Sequence, residues 1–235
     1  MRGPPSPQSK GRRDVDAIAR IAARFVMRSI FALALLYAAA SSSAAQSPDL
    51  RPGEVLVRIE TPLGQIDLAI DTRSAPVTAA NFLEHVDGGF YDGGRFHRAT
   101  RSDNYVPKPP NRPPLEIVQA DINPARVDAR LPPIPLERTS KTGLEHVVGT
   151  VSMPRRDSPP DSATSGFFIL LNNQPSLDHG GMRFDDGQGA AAFGRVVAGL
   201  EVARTIQRQP VKGQALDPPV TIVRAYRVRT DKRAP

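Results

Sequence analysis

The chain has 235 residues, which suits one full-sized domain with tails or at most two small domains. Its 24 prolines indicate many loops, and the lack of cysteine excludes disulfides, thiolate nucleophiles and thiolate metal sites. The formal net charge is +7, but residues 1–45 hold seven of the 31 Lys and Arg and only two of the 24 acids. The remaining residues therefore carry a net charge of +2, and the composition favours no nucleic-acid partner.

The N-terminal segment has the features of a targeting signal. An apolar stretch at 30–40 follows Arg24 and Arg28, and the small residues at 41–45 suit a signal peptidase. The apolar stretch is too short to span a bilayer comfortably. We expect an exported, periplasmic protein with no stable membrane association after cleavage, whereas a retained leader would tether it to the membrane.

The expected organisation of the chain follows from this segment. A leader occupies 1–45, with the apolar core of the signal peptide at about 29–40, and a linker covers 46–53. One domain then spans 54–229, and a short tail covers 230–235.

The domain begins with a predicted hairpin and helix. From position 54 apolar residues alternate with polar ones up to a turn at 61–64, and they alternate again to position 70. Pro76 is a favourable first residue of a helix, apolar residues then recur at helical spacing, and Gly88 and Gly89 end the pattern.

The rest of the domain consists of short elements between proline-rich loops. An insertion at 101–116 is rich in proline and forms either a solvated surface loop or a cover over a nearby groove. A second helix is predicted at 199–206, and strands are predicted at 116–120, 147–153, 167–171, 193–197 and 220–228. Many short strands and two helices predict a mainly β fold, a closed antiparallel barrel capped by two α-helices.

No motif for a metal or cofactor is found. The four histidines, among them His85 and His97, form no close pair, and Asp185-Asp186-Gly187 lacks the remaining ligands of a calcium loop. The glycine pattern at 187–192 is followed by a strand instead of a helix, so it does not predict a dinucleotide site.

The run at 90–98, Phe-Tyr-Asp-Gly-Gly-Arg-Phe-His-Arg, is the most informative segment. It ends at Arg98, a permanently charged donor without an acceptor. From the residues alone, Arg98 could pair with Asp92 or Glu116, or it could polarise an amide in a partly apolar groove.

The order of five segments carries a family resemblance. The run at 90–98 is followed by Ile-Val-Gln (117–119), Gly-Thr-Val-Ser-Met (149–153), Asp-Ser-Ala-Thr-Ser-Gly-Phe-Phe-Ile (161–169) and Ala-Phe-Gly-Arg-Val-Val-Ala-Gly-Leu-Glu-Val (192–202). Together they resemble the cyclophilin family of peptidyl-prolyl cis-trans isomerases, most closely the bacterial exported branch. The resemblance implies a closed eight-stranded β-barrel and a monomeric enzyme that isomerises X–Pro bonds without metal or cofactor. Its partners would be proline-containing polypeptides, whose folding after export it would assist.

The resemblance also implies roles for individual residues. Arg98 would donate to the prolyl nitrogen, Gln119 would orient Arg98 and the substrate backbone, and Phe168 would form the floor of the proline pocket. The implied substrate-binding positions are the walls Ile117 and Leu177, the peptide-binding segment Met153, Pro154 and Arg155, and the rim positions Gly166 and Ala190.

Several rim positions depart from the family pattern. Gly166 replaces a glutamine, Ala120-Asp121 replaces two glycines, Glu116 falls where an aromatic residue lines the pocket, and Ala190 replaces a histidine or tyrosine. These departures favour an alternative: a catalytically weak or inactive cyclophilin-like module that binds proline-containing segments.

Overall fold

The computed structural model describes residues 49–105 and 114–229, so the predicted leader, the tail and positions 106–113 of the insertion lie outside the described residues. The described residues form one antiparallel sheet around a helix-covered core. Its strands are β1 (Glu54–Thr61), β2 (Gly64–Asp71), β3 (Arg95–Thr100), β4 (Ile117–Asp121), β5 (Thr150–Met153), β6 (Phe167–Leu170), β7 (Ala191–Ala198), β8 (Val211–Lys212), β9 (Ala215–Thr221) and β10 (Arg224–Arg227).

The sheet order corrects the predicted barrel. The strands run β10-β1-β2-β7-β5-β6-β4-β3-β9-β8, and within the described residues β10 and β8 stand at two unpaired ends. The prediction of a closed barrel of eight strands is therefore wrong, although the mainly β antiparallel class is confirmed. The reason lies in the last part of the chain. The single strand predicted at 220–228 is split, because β9 pairs with β3 while β10 pairs with β1.

Both predicted helices are confirmed. Helix α1 (Pro76–Asp87) begins with its proline in the first turn, a one-turn helix α2 (Thr139–Thr142) was not predicted, and α3 (Leu200–Gln207) follows Gly199. Gly199 has a φ of +81°, and a Cβ there would overlap the backbone oxygen of Gln65. Only glycine meets both demands, so the entry to α3 depends on it. None of the helices in the described ranges is long and apolar enough to cross a membrane.

The main core lies between α1 and the sheet. Phe82 of α1 is fully buried, and its ring centroid lies 5.5 Å from that of Phe167 and 5.2 Å from that of Phe193. Strands β4 and β6 present alternate residues to opposite faces. Val118 and Ile169 thus join this core, whereas their strand neighbours join a second apolar cluster made of Leu115, Ile117, Phe168, Leu170, Leu177 and Ala190.

Candidate active site

A β-bulge directs Arg98 to the second cluster. Along β3 and β4 the register passes from Phe96 opposite Ala120 to Arg98 opposite Gln119, so His97 is an extra residue without a partner of its own. In a regular strand Phe96 and Arg98 would face the same side. The bulge reverses this, so that Phe96 is fully buried in the main core while Arg98 lies on the other face beside Gln119.

Two glutamine side chains hold the Arg98 guanidinium. Its Nη1 donates to Oε1 of Gln119 at 3.0 Å, and its Nε and Nη2 both donate to Oε1 of Gln214, at 3.0 and 2.7 Å. Gln214 lies in the turn between β8 and β9, 116 residues further along the chain. Its own Nε2 donates to the backbone oxygen of Asn104 at 3.3 Å, which ties this turn to the segment that follows β3. The plane of the guanidinium is therefore set from two sides.

Arg98 carries its charge among neutral partners. Within the described residues its hydrogen-bond acceptors are the side-chain amides of Gln119 and Gln214. Arg98 therefore does not form the ion pair with Asp92 or Glu116 that the sequence had left open. Burial lowers the pKa of Arg98 below its ordinary value, and the nearby charge of Arg183 lowers it further. A cation that has lost part of its water and has no neutralising carboxylate is a strong hydrogen-bond donor.

The second apolar cluster lies next to this donor and includes the predicted floor and walls of the pocket. Phe168 is 5% exposed and stands directly opposite Gln119 in the sheet, so its side chain lies on the same face as Gln119, the partner of Arg98. Ile117, Leu177 and Ala190 belong to the same cluster. The structure thus brings Arg98, Gln119 and the four predicted apolar positions together.

Two aromatic residues of this cluster were not predicted. Tyr105, from the start of the insertion, and Phe184 are partly buried and pack against it. Glu116, at the position expected to be aromatic, does not belong to this cluster. Its neighbours Leu115 and Ile117 do, and successive side chains of an extended segment point to opposite faces. Tyr105 and Phe184 therefore supply aromatic surface from outside the strand, and neither has a sequence signal beyond being aromatic near a loop.

The predicted peptide-binding segment divides into residues with different environments. The side chain of Met153 is fully buried in the main core, so only its backbone is available at the groove. Gly166 is buried, and a Cβ on it would come within 3.0 Å of the ring of Pro154. Pro154 thus occupies space that a side chain at position 166 would need, so the glycine at 166 and the proline at 154 are linked by packing.

Arg155 organises the loop that carries Phe184. Its Nε donates to the backbone oxygen of Gly189 at 2.8 Å, and its Nη2 pairs with Asp186 at 2.6 Å. The guanidinium carbon lies 3.8 Å from the Phe184 ring centroid, a cation–π contact. Because the side chain is fully buried, Arg155 shapes the rim from within the protein.

A buried polar network supports the wall that contains Leu177. His146 has a fully buried side chain, with Nδ1 at 2.7 Å from Oδ1 of Asp178 and Nε2 at 2.9 Å from the hydroxyl of Ser152. The Ser152 hydroxyl donates to the backbone oxygen of Ala191 at 2.9 Å. This chain of bonds ties the residues next to Leu177 and Ala190 to strand β5.

Comparisons with known proteins agree with this architecture. The family model described as cyclophilin type peptidyl-prolyl cis-trans isomerase/CLD matches residues 56–227. Peptidyl-prolyl cis-trans isomerase A of Dickeya dadantii is 37% identical over 152 residues, which cover 65% of this chain and 70% of that protein. A peptidyl-prolyl cis-trans isomerase of Acinetobacter baylyi is 31% identical over 155 residues, covering 66% of this chain and 73% of the relative.

A solved structure shows the same fold at lower sequence identity. The crystal structure of a Cryptosporidium parvum cyclophilin type peptidyl-prolyl cis-trans isomerase, determined in the presence of the dipeptide Ala-Pro, matches with a TM-score of 0.58. The match is 20% identical and covers 74% of this chain and 99% of the other. With the family model spanning nearly all of the sheet, the chain belongs to the cyclophilin-type peptidyl-prolyl cis-trans isomerases.

Proposed function

We propose that this chain catalyses cis-trans rotation of X–Pro bonds by donating a hydrogen bond from Arg98 to the prolyl nitrogen. Amide resonance gives this bond a barrier of roughly 18–20 kcal/mol. In the planar amide the nitrogen lone pair is delocalised into the carbonyl, whereas in the twisted state the nitrogen becomes pyramidal and the pair is localised on it. A donor aimed at that lone pair stabilises the twisted state more than the planar one and so accelerates the rotation.

The observation that carries the proposal is how Arg98 is held. A guanidinium has five N–H donors, and three of them are engaged by Gln119 and Gln214. Among the described residues the other two have no acceptor and can bind a substrate, on a group whose orientation is set before the substrate arrives. Such preorganisation avoids reorienting the donor during the reaction, which is the main advantage of electrostatic catalysis in a protein site.

The neighbouring residues would bind the substrate. Phe168 would form the floor under the proline ring, with Ile117, Leu177 and Ala190 around it, since all four belong to the apolar cluster beside Arg98. The Ala-Pro dipeptide named with the Cryptosporidium structure supports a proline-containing ligand for this fold. Gln119 would hold Arg98 through its oxygen and offer its amide N–H groups to the peptide backbone.

The rim residues would act through the backbone and through loop shape. Met153 and Pro154 would offer backbone groups to an extended peptide, and Gly166 leaves room for Pro154 at the edge. Arg155 would hold the loop around Phe184 in place.

The cellular role forms part of the proposal. The substrates would be proline-containing polypeptides whose folding is assisted after export, as the apolar leader with its small residues at 41–45 suggests. We propose a periplasmic monomer that has no stable membrane association once the leader has been cleaved.

The test is exchange spectroscopy on a short Ala-Pro peptide with the wild type, Arg98→Ala and Arg73→Ala. Arg73 is exposed in the turn between β2 and α1 and controls for the loss of one positive charge. We expect wild type and Arg73→Ala to accelerate exchange equally and Arg98→Ala to lose at least about 100-fold, in the range found for removal of one key donor. Equal background rates for all three, with peptide binding retained, would instead establish the inactive binding module.

A further inference from the structure

A second guanidinium lies at the proposed substrate pocket. The backbone N–H of Arg183 donates to the oxygen of Ser176 at 3.0 Å, which anchors Arg183 next to the Leu177 wall. Its guanidinium carbon lies 5.6 Å from the ring centroid of Tyr105, which itself packs on the apolar cluster. Arg183 itself is half-buried.

This cationic pair has no neutralising partner among the residues that the structure describes. Neither Arg98 nor Arg183 forms an ion pair there. Two acids near the groove are engaged elsewhere, Asp186 by Arg155 and Asp178 by His146, and Asp185 is exposed. The charge of Arg183 is one of the causes that lower the pKa of Arg98. A half-buried pair of like charges is stabilised by an anion that binds between or beside them.

We infer that the groove selects peptides with a carboxylate side chain, Asp or Glu, on a residue that flanks the proline, and that Arg183 is the specificity-determining residue. The location of the bound peptide rests on the proposed function. The chemistry is that of a charge-assisted hydrogen bond between a guanidinium and a carboxylate, favourable in a partly desolvated groove. An amide side chain of the same shape would lack this charge attraction, and a lysine side chain would be repelled by the guanidinium.

The inference is tested by binding. Peptides with blocked termini, Ac-Ala-Xaa-Pro-Ala-NH2 and Ac-Ala-Ala-Pro-Xaa-NH2 with Glu, Gln or Lys as Xaa, are titrated by chemical-shift perturbation. The proteins are the wild type, Arg183→Gln and the charge-matched control Arg73→Gln. We expect the Glu peptide to bind the wild type about fivefold tighter than the Gln peptide in at least one series, with Lys weakest. The preference should shrink as salt is raised, because screening weakens the attraction.

The variants decide the role of Arg183. In Arg183→Gln the Glu-to-Gln affinity ratio should fall to about one while the Gln peptide binds as before, and Arg73→Gln should keep the wild-type ratio. Equal affinities of the wild type for Glu and Gln peptides in both series would overturn the inference. So would a preference that persists in Arg183→Gln. Exchange rates on the neutral Gln peptide report the proposed function separately: background rates with a retained Glu preference would overturn the function and leave this inference standing.

Discussion

Gln214 offers the sharpest test of how the guanidinium is held. Its oxygen accepts from both Nε and Nη2 of Arg98, at 3.0 and 2.7 Å. Gln214→Leu keeps the size of the side chain and removes that acceptor. A hydrogen bond to a charged group is worth about 1.5–3 kcal/mol, and about 2 kcal/mol lost from the transition state corresponds to roughly 30-fold in rate. We expect kcat to fall by about that factor with little change in KM, because Gln214 would not touch the substrate.

The assay is the exchange rate measured over a range of peptide concentrations, so that kcat and KM are obtained separately. Gln65→Leu, on the exposed side of β2, controls for replacing a glutamine with leucine in the sheet. If circular dichroism shows that Gln214→Leu is folded and its kcat equals that of the wild type, the hydrogen bonds from Arg98 to Gln214 do not contribute to catalysis and the argument is refuted. A rise in KM alone would refute it as well, since that would make Gln214 a binding residue.

Three further predictions concern the pocket and the fold. Phe168→Ala should destabilise the protein by about 3 kcal/mol in urea unfolding and weaken peptide binding at least tenfold, whereas Phe168→Leu, which retains apolar volume, should keep most of both. Equal losses in the two variants would contradict this expectation and mean that the aromatic ring itself, not apolar volume, is required. Gly199→Ala should lower the free energy of unfolding by more than about 2 kcal/mol, because the new Cβ would overlap a carbonyl oxygen. Gly213→Ala has a similar φ of +63° but open space around it, so it should lower the free energy of unfolding by about 1 kcal/mol. Equal losses would mean that backbone strain at positive φ decides the cost and the overlap does not. Burial lowers the pKa of His85 below its ordinary 6.5, so the unfolded state binds more protons below that pH and stability should fall as the pH drops beneath about 6.5. In His85→Gln urea unfolding should show a shallower decline, and an unchanged pH dependence would assign it to other groups.

The sequence predicted the parts of this fold that depend on local periodicity. The β1–β2 hairpin and helix α1 were expected because alternation, helical spacing and Pro76 are visible within a few residues. The closed eight-stranded barrel was wrong because strand pairing is non-local. The prediction placed no strand at 215–219, where β9 begins, and Pro218 and Pro219 are tolerated in β9 because they lie outside its paired positions with β3 and β8.

The sequence predicted which residues form the candidate site but not the bulge and the contact that position them. Arg98, Gln119 and Phe168 came from motifs, and the structure places them together on β3, β4 and β6. The bulge at His97 has no sequence signal, since the same residues could continue a regular strand. Gln214 could not be found either, because its contact with Arg98 depends on how the last hairpin docks against β3.

The long separation between Arg98 and Gln214 has a consequence for synthesis. The guanidinium acquires its second holder only when the β8–β9 hairpin, 116 residues later in the chain, has emerged and packed against β3. A nascent chain that stops before this hairpin can carry the whole motif around Arg98 and still hold the guanidinium from one side only, through Gln119. The isomerase would therefore gain full activity only at the end of its own folding, and enzymatic rate could serve as a reporter of C-terminal completion.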